Sequence, residues 1–352
     1  MTDVSLFDYK LPEELIAQYP ADVRDASRLL VVDRETGKTE DRLFSDLPDC
    51  LKSGDLLVFN DSRVIKARIF GKKEETGANI EILLSKGLDK GMEVWEALAR
   101  PAKRLHAGDV VVFGTELSAE VVRKTDEGFV ILHFHFSGDF DNILEQLGHV
   151  PLPPYISRAD EEKDAVRYQT VYAKDDGSVA APTAGLHFTD EILDRLRSKG
   201  IETVFITLHV GLGTFRPVQT ETIEMHKMHA EQYYIGEEAR RKINRAKSEG
   251  RRIICVGTTS VRTLESASTW DHEGGRYIPE HMCEGETDIF IYPGGRKFFM
   301  TDGLITNFHL PKSTLLMLVS AFYDRERVLE IYKEAAEKKY RFYSYGDAML
   351  IL

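Results

Sequence analysis

Between Arg68 and Pro151 the sequence changes character, and this change constrains the fold more than any other feature. Short runs rich in β-branched and aromatic residues follow one another closely, separated by Gly, Asp and Lys. They read NIEILLS, EVWEALA, DVVVFG, AEVVRK and FVILHFHF. Close strand spacing with such turns is typical of a small antiparallel barrel or sandwich. We therefore predict that residues 68–151 form an inserted all-β barrel domain.

Helical patterns alternate with strands on both sides of this segment. TDEILDRLRSKG begins with Thr189 as a cap, has acids in its first turn and basic residues in its last, and stops at Gly200. The strand IETVFITL follows it, and the helix GEEARRKINRAKSEG precedes the strand IICVG. At 352 residues the chain is also too long for one ordinary core. The sequence predicts an α/β (α+β) protein of two domains, in which residues 1–67 and 152–352 form a discontinuous, barrel-like catalytic body.

Composition narrows the setting. The three cysteines are widely spaced, which is typical of a reducing cytoplasm and argues against a thiolate metal site. No apolar run reaches the roughly 20 residues that span a bilayer, and the first residues lack the layout of a signal peptide. We therefore expect a cytoplasmic protein with no membrane partner.

Local basic stretches interrupt an acidic chain. The formal net charge is −12, yet the segment from Gly236 to Arg262 has eight Arg or Lys against three Glu. A second basic stretch begins at Arg63 and Lys66. Such stretches either follow a phosphate backbone or form a solvated helix face with ordinary ion pairs. If the first holds, charge reversal at Arg251 and Arg252, or at Arg63 and Lys66, weakens nucleic-acid binding.

The loop LHVGLGTFRP, which follows the strand IETVFITL, raises the question of nucleotide binding. A dinucleotide-binding loop has the pattern G-x-G-x-x-G and opens directly into a helix. Here Pro217 ends the loop and keeps Arg216 out of the helical region. Gly211 and Gly213 instead permit a close approach of the backbone to a ligand, with His209 beside them.

A second loop, GTTSVRTLES, starts a helix after a strand. Gly257 ends the strand, and the amides of Thr258, Thr259 and Ser260 suit an anion such as a carboxylate or phosphate. Arg262, one turn further, could add a bidentate contact. The alternative is ordinary helix capping with an exposed arginine.

Three further loops place polar residues after apolar strands: FNDSRV, APTAGLHF and TNFHLPKST. Loops that follow strands of an α/β body gather at one rim, where ligands usually bind. We predict that five of the loops, APTAGLHF, LHVGLGTF, HAEQY, GTTSVRTLE and TNFHLP, converge on one cleft at this rim.

Two alternative functions stay open on the residues alone. The first is a metal-dependent hydrolase using His226, His229 and Glu231, although this spacing differs from the H-E-x-x-H zinc helix. The second is a non-catalytic RNA-binding protein whose β insert presents a binding face.

Taken together, several strings resemble one family. FNDSRVIKARIFG, YQTVYAKDDGSVAAPTAGLHFT, TLHVGLGTFRPV, GTTSVRTLES, TNFHLPKSTLLMLVSAF and YRFYSYGDAMLI closely resemble the S-adenosylmethionine:tRNA ribosyltransferase-isomerases of queuosine biosynthesis. The resemblance runs in order from about Phe7 to the C-terminus. It implies transfer of the ribosyl part of S-adenosylmethionine to 7-aminomethyl-7-deazaguanine at the wobble position of tRNA. Isomerisation to an epoxycyclopentanediol accompanies the transfer, and adenine and methionine are released.

The resemblance also implies partners and cofactors. The tRNAs are those with GUN anticodons, for Asp, Asn, His and Tyr. S-adenosylmethionine is a consumed substrate, and neither a metal nor a permanently bound cofactor is expected. The family is implied to be monomeric, with an α/β barrel-like body and an inserted β barrel.

This chemistry defines the candidate residues. A base must remove a proton from the 5′-carbon, a donor must help adenine leave, and the attacking amine must be neutral. The candidate catalytic residues are His187, His209, His229, Glu231 and His309. The candidate substrate-binding residues are Asn60, Asp61, Arg63, Thr183, Gly211, Gly213, Thr258, Thr259, Ser260, Arg262 and Asn307. The individual proton transfers stay unassigned among the catalytic candidates.

Overall fold

The structure is a computed structural model that describes residues 1–89, 91–215, 218, 220–271 and 274–352. Arg216 and Pro217, at the end of the LHVGLGTFRP loop, lie outside the described residues. In chain order the strands are β1 (Arg28–Val32), β2 (Thr39–Leu43), β3 (Leu56–Asn60), β4 (Ser62–Val64), β5 (Arg68–Lys73), β6 (Asn79–Gly87), β7 (Val94–Arg100), β8 (Val110–Val112), β9 (Leu117–Lys124), β10 (Val130–Phe136), β11 (Asp175–Ser178), β12 (Glu202–Leu208), β13 (Glu231–Tyr234), β14 (Ile253–Val256), β15 (Thr269–Trp270), β16 (Arg276–Tyr277), β17 (Glu284–Thr287), β18 (Gly303–Asn307) and β19 (Ala348–Ile351). The α-helices are α1 (Leu47–Cys50), α2 (Phe140–Leu147), α3 (Glu162–Arg167), α4 (Asp190–Ser198), α5 (Glu237–Ser248), α6 (Thr258–Ala267), α7 (Thr314–Phe322) and α8 (Arg325–Glu337).

A nine-stranded mixed sheet forms the body, in the order β17-β13-β12-β3-β14-β18-β19-β1-β2. Its centre is four parallel strands, β12, β3, β14 and β18. Every residue of β3, β14 and β18 is buried, as expected for strands that are covered on both faces. The linear order leaves edge strands at both ends, so the sheet of the body is open rather than closed into a barrel.

Helices cover the two faces of this sheet. On one face α5, α6, α7 and α8 contribute to the largest apolar core, through residues such as Ile243, Leu264 and Leu316. On the other face α4 packs Ile192 and Leu196 against β3 and β14. The N-terminus of α4 is capped as predicted, because the Thr189 hydroxyl accepts the Ile192 N–H at 3.2 Å.

A closed antiparallel barrel is inserted between the strands of the body, with the order β10-β7-β6-β5-β8-β9. Its strands run from Arg68 to Phe136, and α2 packs Phe140 and Leu144 into the barrel core. The two-domain α+β fold class with an inserted all-β barrel is therefore confirmed. The outer limits of the two domains stay a prediction. No helix within the described part of the chain is long and apolar enough to cross a membrane.

Candidate active site

The carboxyl ends of the four central parallel strands lie at one edge of the body sheet. β3 ends at Asn60, β12 at Leu208, β14 at Val256 and β18 at Asn307. In the sheet β3 lies between β12 and β14, both of which come later in the chain. In open α/β sheets ligands bind beyond the carboxyl ends of strands at such a point of divergence.

A cleft of about 720 Å³ occupies this edge, and we call it the strand-end cleft. Residues 180–184, 257–259 and 306–310 line it, together with Tyr155, Val210, Tyr343 and Ser344. Of the predicted residues it collects Thr183, Thr258, Thr259, Asn307 and His309. Four of the predicted loops therefore contribute to one cavity, since Val210 belongs to the loop LHVGLGTFRP.

The N-terminus of α6 faces this cleft without a side-chain cap. Its N-cap is Gly257, at φ +87°, a conformation that suits glycine and that supplies no capping group. Thr258 and Thr259 both line the cleft, and the Thr259 hydroxyl is buried without a hydrogen-bond partner in the described structure. Exposed amides at a helix N-terminus attract an anionic or carbonyl oxygen.

Asn307 and His309 form the opposite wall of the cleft. Asn307 is buried, and its Oδ1 has no hydrogen-bond partner among the described residues. His309 Nε2 lies 2.7 Å from the Thr306 hydroxyl. Burial lowers the pKa of His309 to about 3, so its ring is neutral at pH 7.

Aromatic side chains complete the cleft, and the sequence patterns did not single them out. The rings of Tyr155 and Tyr343 are 4.6 Å apart, and the Tyr155 hydroxyl is 2.5 Å from Ser344 Oγ. Tyr343 has a φ of +72°, which is uncommon for a non-glycine residue and marks a constrained position. The only signals in the sequence were Tyr155 in the proline-rich string VPLPPYI and Tyr343 among the aromatic residues of RFYSYGD.

His187 supports the cleft from behind rather than lining it. Its Nε2 accepts from Asn307 Nδ2 at 3.0 Å, and its Nδ1 is 2.7 Å from Ser27 Oγ. Burial lowers its pKa to about 3, with smaller contributions that include nearby arginines. Both ring nitrogens are engaged, so His187 holds Asn307 in place and has no nitrogen left for a substrate proton.

The glycine loop lies in a second, larger cleft between the barrel and the body. This barrel–body cleft spans about 1580 Å³ with the solvent at its open mouth included, and barrel residues 85–89 form one of its walls. It collects the predicted residues His209, Gly211, Gly213, His229 and Glu231.

Two histidines in the barrel–body cleft differ in their surroundings. His209 is partly buried, burial lowers its pKa, and its Nδ1 has no hydrogen-bond partner in the described structure. His229 is more exposed: its ring lies 5.9 Å from that of Phe129, and its Nδ1 is 3.9 Å from a Glu127 carboxylate oxygen. A Cβ on Gly213 would approach His229 Cδ2 to 2.6 Å, so this glycine provides the space for the imidazole.

A buried ion pair fixes the loop that separates the two clefts. Glu231 Oε1 accepts the Gly211 N–H at 2.9 Å, and Glu231 Oε2 pairs with Arg262 Nη1. Arg262 is therefore not an exposed capping neighbour, since only 3% of its surface is accessible. Val210 lines the strand-end cleft and Gly211 the barrel–body cleft, so the two cavities are neighbours across one peptide.

The FNDSRV loop and Ser260 line neither of the two clefts. Asn60 Nδ2 donates to the Leu208 carbonyl oxygen and its Oδ1 accepts the Leu208 N–H, both at 3.0 Å. Asp61 accepts from the Thr207 hydroxyl at 2.8 Å, and burial raises its pKa. Arg63 is exposed, 3.7 Å from Asp176. Ser260 is buried against the Val256 carbonyl oxygen. The predicted residues are thus divided between two clefts and their supports.

The metal-dependent hydrolase hypothesis has no site in this geometry. His226 packs against Phe290 at 5.2 Å, His229 faces the barrel, and Glu231 binds Arg262. Over the described ranges, no group of three or more His, Cys, Asp or Glu residues is arranged to hold a metal ion.

The fold and the two clefts define a class: a two-domain α+β protein with a cleft at the carboxyl edge of a parallel sheet, beside an inserted β barrel. The family model described as "Queuosine biosynthesis protein" matches residues 4–351, so the chain belongs to this family. The chain is also similar to the solved S-adenosylmethionine tRNA ribosyltransferase from Thermotoga maritima. The identity is 38%, the match covers 99% of this chain and 100% of that chain, and the TM-score is 0.54. The resemblance noted in the sequence is confirmed, and with it an enzyme rather than a non-catalytic RNA-binding protein.

Proposed function

We propose that the protein transfers and isomerises the ribosyl moiety of S-adenosylmethionine onto 7-aminomethyl-7-deazaguanine at the wobble position of tRNA. Adenine and methionine leave, and epoxyqueuosine-tRNA is formed. Family membership and the full-length similarity to a tRNA ribosyltransferase support this proposal. The observation that carries it is the uncapped N-terminus of α6 in a cleft with aromatic walls.

The strand-end cleft suits the parts of S-adenosylmethionine. This substrate has a carboxylate, an adenine and a sulfonium but no phosphate. The amides of Thr258 to Ser260 would receive the carboxylate. Tyr343 offers a face for adenine, and the unpartnered Oδ1 of Asn307 is an acceptor for an adenine amino group. Each assigned group lies on a segment that lines the same cavity.

The barrel–body cleft is the proposed entrance of the tRNA base. It borders the strand-end cleft at Val210 and Gly211, so an aminomethyl group placed there is close to a ribosyl group placed in the other cleft. The attacking amine must lose a proton, and His209 is the histidine best suited to take it. Burial keeps its imidazole neutral, and its Nδ1 has no competing partner in the described structure.

Several features of the setting belong to the same proposal. The enzyme acts as a cytoplasmic monomer, consumes S-adenosylmethionine, holds no permanent cofactor and selects tRNAs with GUN anticodons (Asp, Asn, His and Tyr). Three free cysteines favour a reducing compartment.

The experiment supplies S-adenosylmethionine and tRNA that bears the aminomethyl-deazaguanine base, and measures released adenine and methionine by chromatography. We expect release in equal amounts, and none with tRNA that carries unmodified guanine. His209→Asn should slow adenine release while S-adenosylmethionine still binds. His281→Asn, an exposed histidine outside both clefts, is the matched control. Absence of release by the wild-type protein would refute the proposed function, whereas normal release by His209→Asn would refute only the role of His209.

A further inference from the structure

A third cavity, beside the strand-end cleft, is lined by three arginines. Arg24, Arg167 and Arg341 line a small hollow that is open to solvent, together with Ser27 and Ser344, and we call it the arginine pocket. It shares Ser344 with the strand-end cleft. Its His187 contacts Asn307 of that cleft through the 3.0 Å hydrogen bond described above. The two cavities are therefore direct neighbours.

Backbone carbonyl groups position two of these guanidinium groups. Arg24 donates to the carbonyl oxygens of Leu186 and Val166 at 3.0 and 2.8 Å. Arg167 donates to the carbonyl oxygens of residues 21 and 22 at 2.5 and 3.1 Å. Carbonyl oxygens fix the geometry of a guanidinium without cancelling its charge, and each group keeps further N–H donors. Arg167 Nε is one such donor, buried and without a partner in the described structure.

The positive charge of the pocket is only partly neutralised. Among the described residues no carboxylate lies within ion-pair distance of Arg24 or Arg167. Burial lowers the pKa of Arg24, and the nearby Arg167 lowers it further. Arg341 donates to the Tyr19 carbonyl oxygen at 3.3 Å and lies 3.7 Å from the Asp347 carboxylate. Three neighbouring cations that share a single carboxylate partner, the one paired with Arg341, favour an anion between them.

We propose that the arginine pocket binds a backbone phosphate of the tRNA, next to the nucleotide that is modified. This inference rests on the proposed function. Arginine is suited to phosphate because its planar N–H groups match two phosphate oxygens. A phosphate in the arginine pocket would border the strand-end cleft at Ser344, next to the proposed ribosyl site. The carboxylate of S-adenosylmethionine is the other anion available, and the α6 N-terminus already provides for it.

The test compares tRNA and S-adenosylmethionine binding in Arg24→Gln, Arg167→Gln and Arg341→Gln. Glutamine keeps an N–H donor for a carbonyl oxygen and removes the charge. The matched control is Arg34→Gln, since Arg34 also donates to two carbonyl oxygens, those of Phe322 and Asp302. Arg34 follows the carboxyl end of β1. This end and the carboxyl end of β18 lie at opposite edges of the sheet.

We expect each pocket variant to bind tRNA about tenfold more weakly at low salt. The logarithm of the tRNA association constant falls linearly with the logarithm of the salt concentration. This slope should become shallower by about 0.7–0.9 for each phosphate that the variant no longer binds. S-adenosylmethionine affinity should be unchanged, and Arg34→Gln should match the wild-type protein in both. If Arg24→Gln fails to fold, Arg341→Gln provides the test, because it removes one 3.3 Å bond to the backbone and one 3.7 Å ion pair with Asp347.

Two results would overturn the inference. One is an unchanged tRNA affinity and salt slope in the folded pocket variants. The other is weaker S-adenosylmethionine binding at an unchanged salt slope, which would assign the pocket to the substrate carboxylate. Failure of the wild-type protein to bind tRNA or to release adenine is a different outcome, since it refutes the proposed function itself.

Discussion

Acidification from pH 7 to 5.5 should destabilise the protein partly through His187, and His187→Gln should remove that part. The His187 ring is neutral in the folded protein because its Nε2 accepts from Asn307 and because burial lowers its pKa to about 3. In the unfolded chain a histidine has a pKa of about 6.5. The unfolded state therefore binds the proton first. The stabilisation is fully present above pH 6.5 and is lost as the pH falls from 6.5 towards 3.

The magnitude follows from the two pKa values. One pKa unit corresponds to about 1.4 kcal/mol, so protonation of the unfolded His187 lowers the free energy of unfolding by about 1.2 kcal/mol between pH 7 and 5.5. By pH 4 the loss reaches about 3 kcal/mol. His309 should add a similar loss, since burial lowers its pKa to about 3 as well.

Urea unfolding at pH 7 and 5.5 measures this effect. Trp95 belongs to the barrel core and Trp270 to the body, so a Trp95→Phe background makes fluorescence report on the body. The wild-type protein should lose about 1.2 kcal/mol more than His187→Gln over this range. His281→Gln, which replaces an exposed histidine, should behave like the wild-type protein.

The result that would refute the reasoning is a pH dependence in His187→Gln equal to that of the wild-type protein. It would mean that the folded protein accepts a proton on His187 as readily as the unfolded chain does. The assignment of His187 as a positioning residue for Asn307 would then be wrong, and a direct role in proton transfer would return.

Three further predictions concern the loop and helix around the clefts. Glu231→Ala should lower the free energy of unfolding in urea by about 3–5 kcal/mol, because it leaves Arg262 buried and unpaired. Leucine at both Glu231 and Arg262 should lower it much less. Equal losses in the two variants would contradict this expectation. Gly213→Val should reduce adenine release with little change in the melting temperature, because its Cβ displaces the His229 ring. Normal release would show that activity does not require glycine at this position. Gly257→Ala should cost about 1–3 kcal/mol, because the φ of +87° with a ψ of 155° is a conformation essentially restricted to glycine. It should also weaken S-adenosylmethionine binding in calorimetry, and unchanged binding would show that the α6 N-terminus does not contact the substrate.

The features that could be predicted from the sequence are those with a local cause. Strand β5 alternates buried and exposed residues, so the barrel strands are visible as a pattern of period two. The start of α4 at Thr189 and its stop at Gly200, with φ +72°, depend only on neighbouring residues. The open order of the body sheet has no such local signal. β3 pairs with β12 and β14 only after long stretches of intervening chain, and the strand pattern is the same in an open sheet and in a barrel.

The site residues illustrate the same limit. Asn60 follows an apolar strand as a ligand-binding residue would, yet its side chain binds the backbone of Leu208, 148 residues away in the chain. The basic segment from Gly236 to Arg262 is largely paired. Arg241 binds Glu237, and Arg252 binds the buried Asp55. These pairs favour the solvated-face alternative for this segment, since a charge already paired contributes less to phosphate binding.

The glycine loop now has a physical explanation that a nucleotide-binding helix would not provide. A helix N-terminus presents its amides in one direction, towards one ligand. Val210 and Gly211 lie between the end of β12 at Leu208 and a 3₁₀ helix at Leu212–Phe215. The first residue borders one cleft and the second borders the other. Glu231, held by Arg262, accepts the Gly211 N–H and so fixes this thin partition. Under the proposed function two substrates must react across it, one on each side. A bulky segment at these two positions would separate them, whereas a single peptide unit next to glycine keeps the distance between them short.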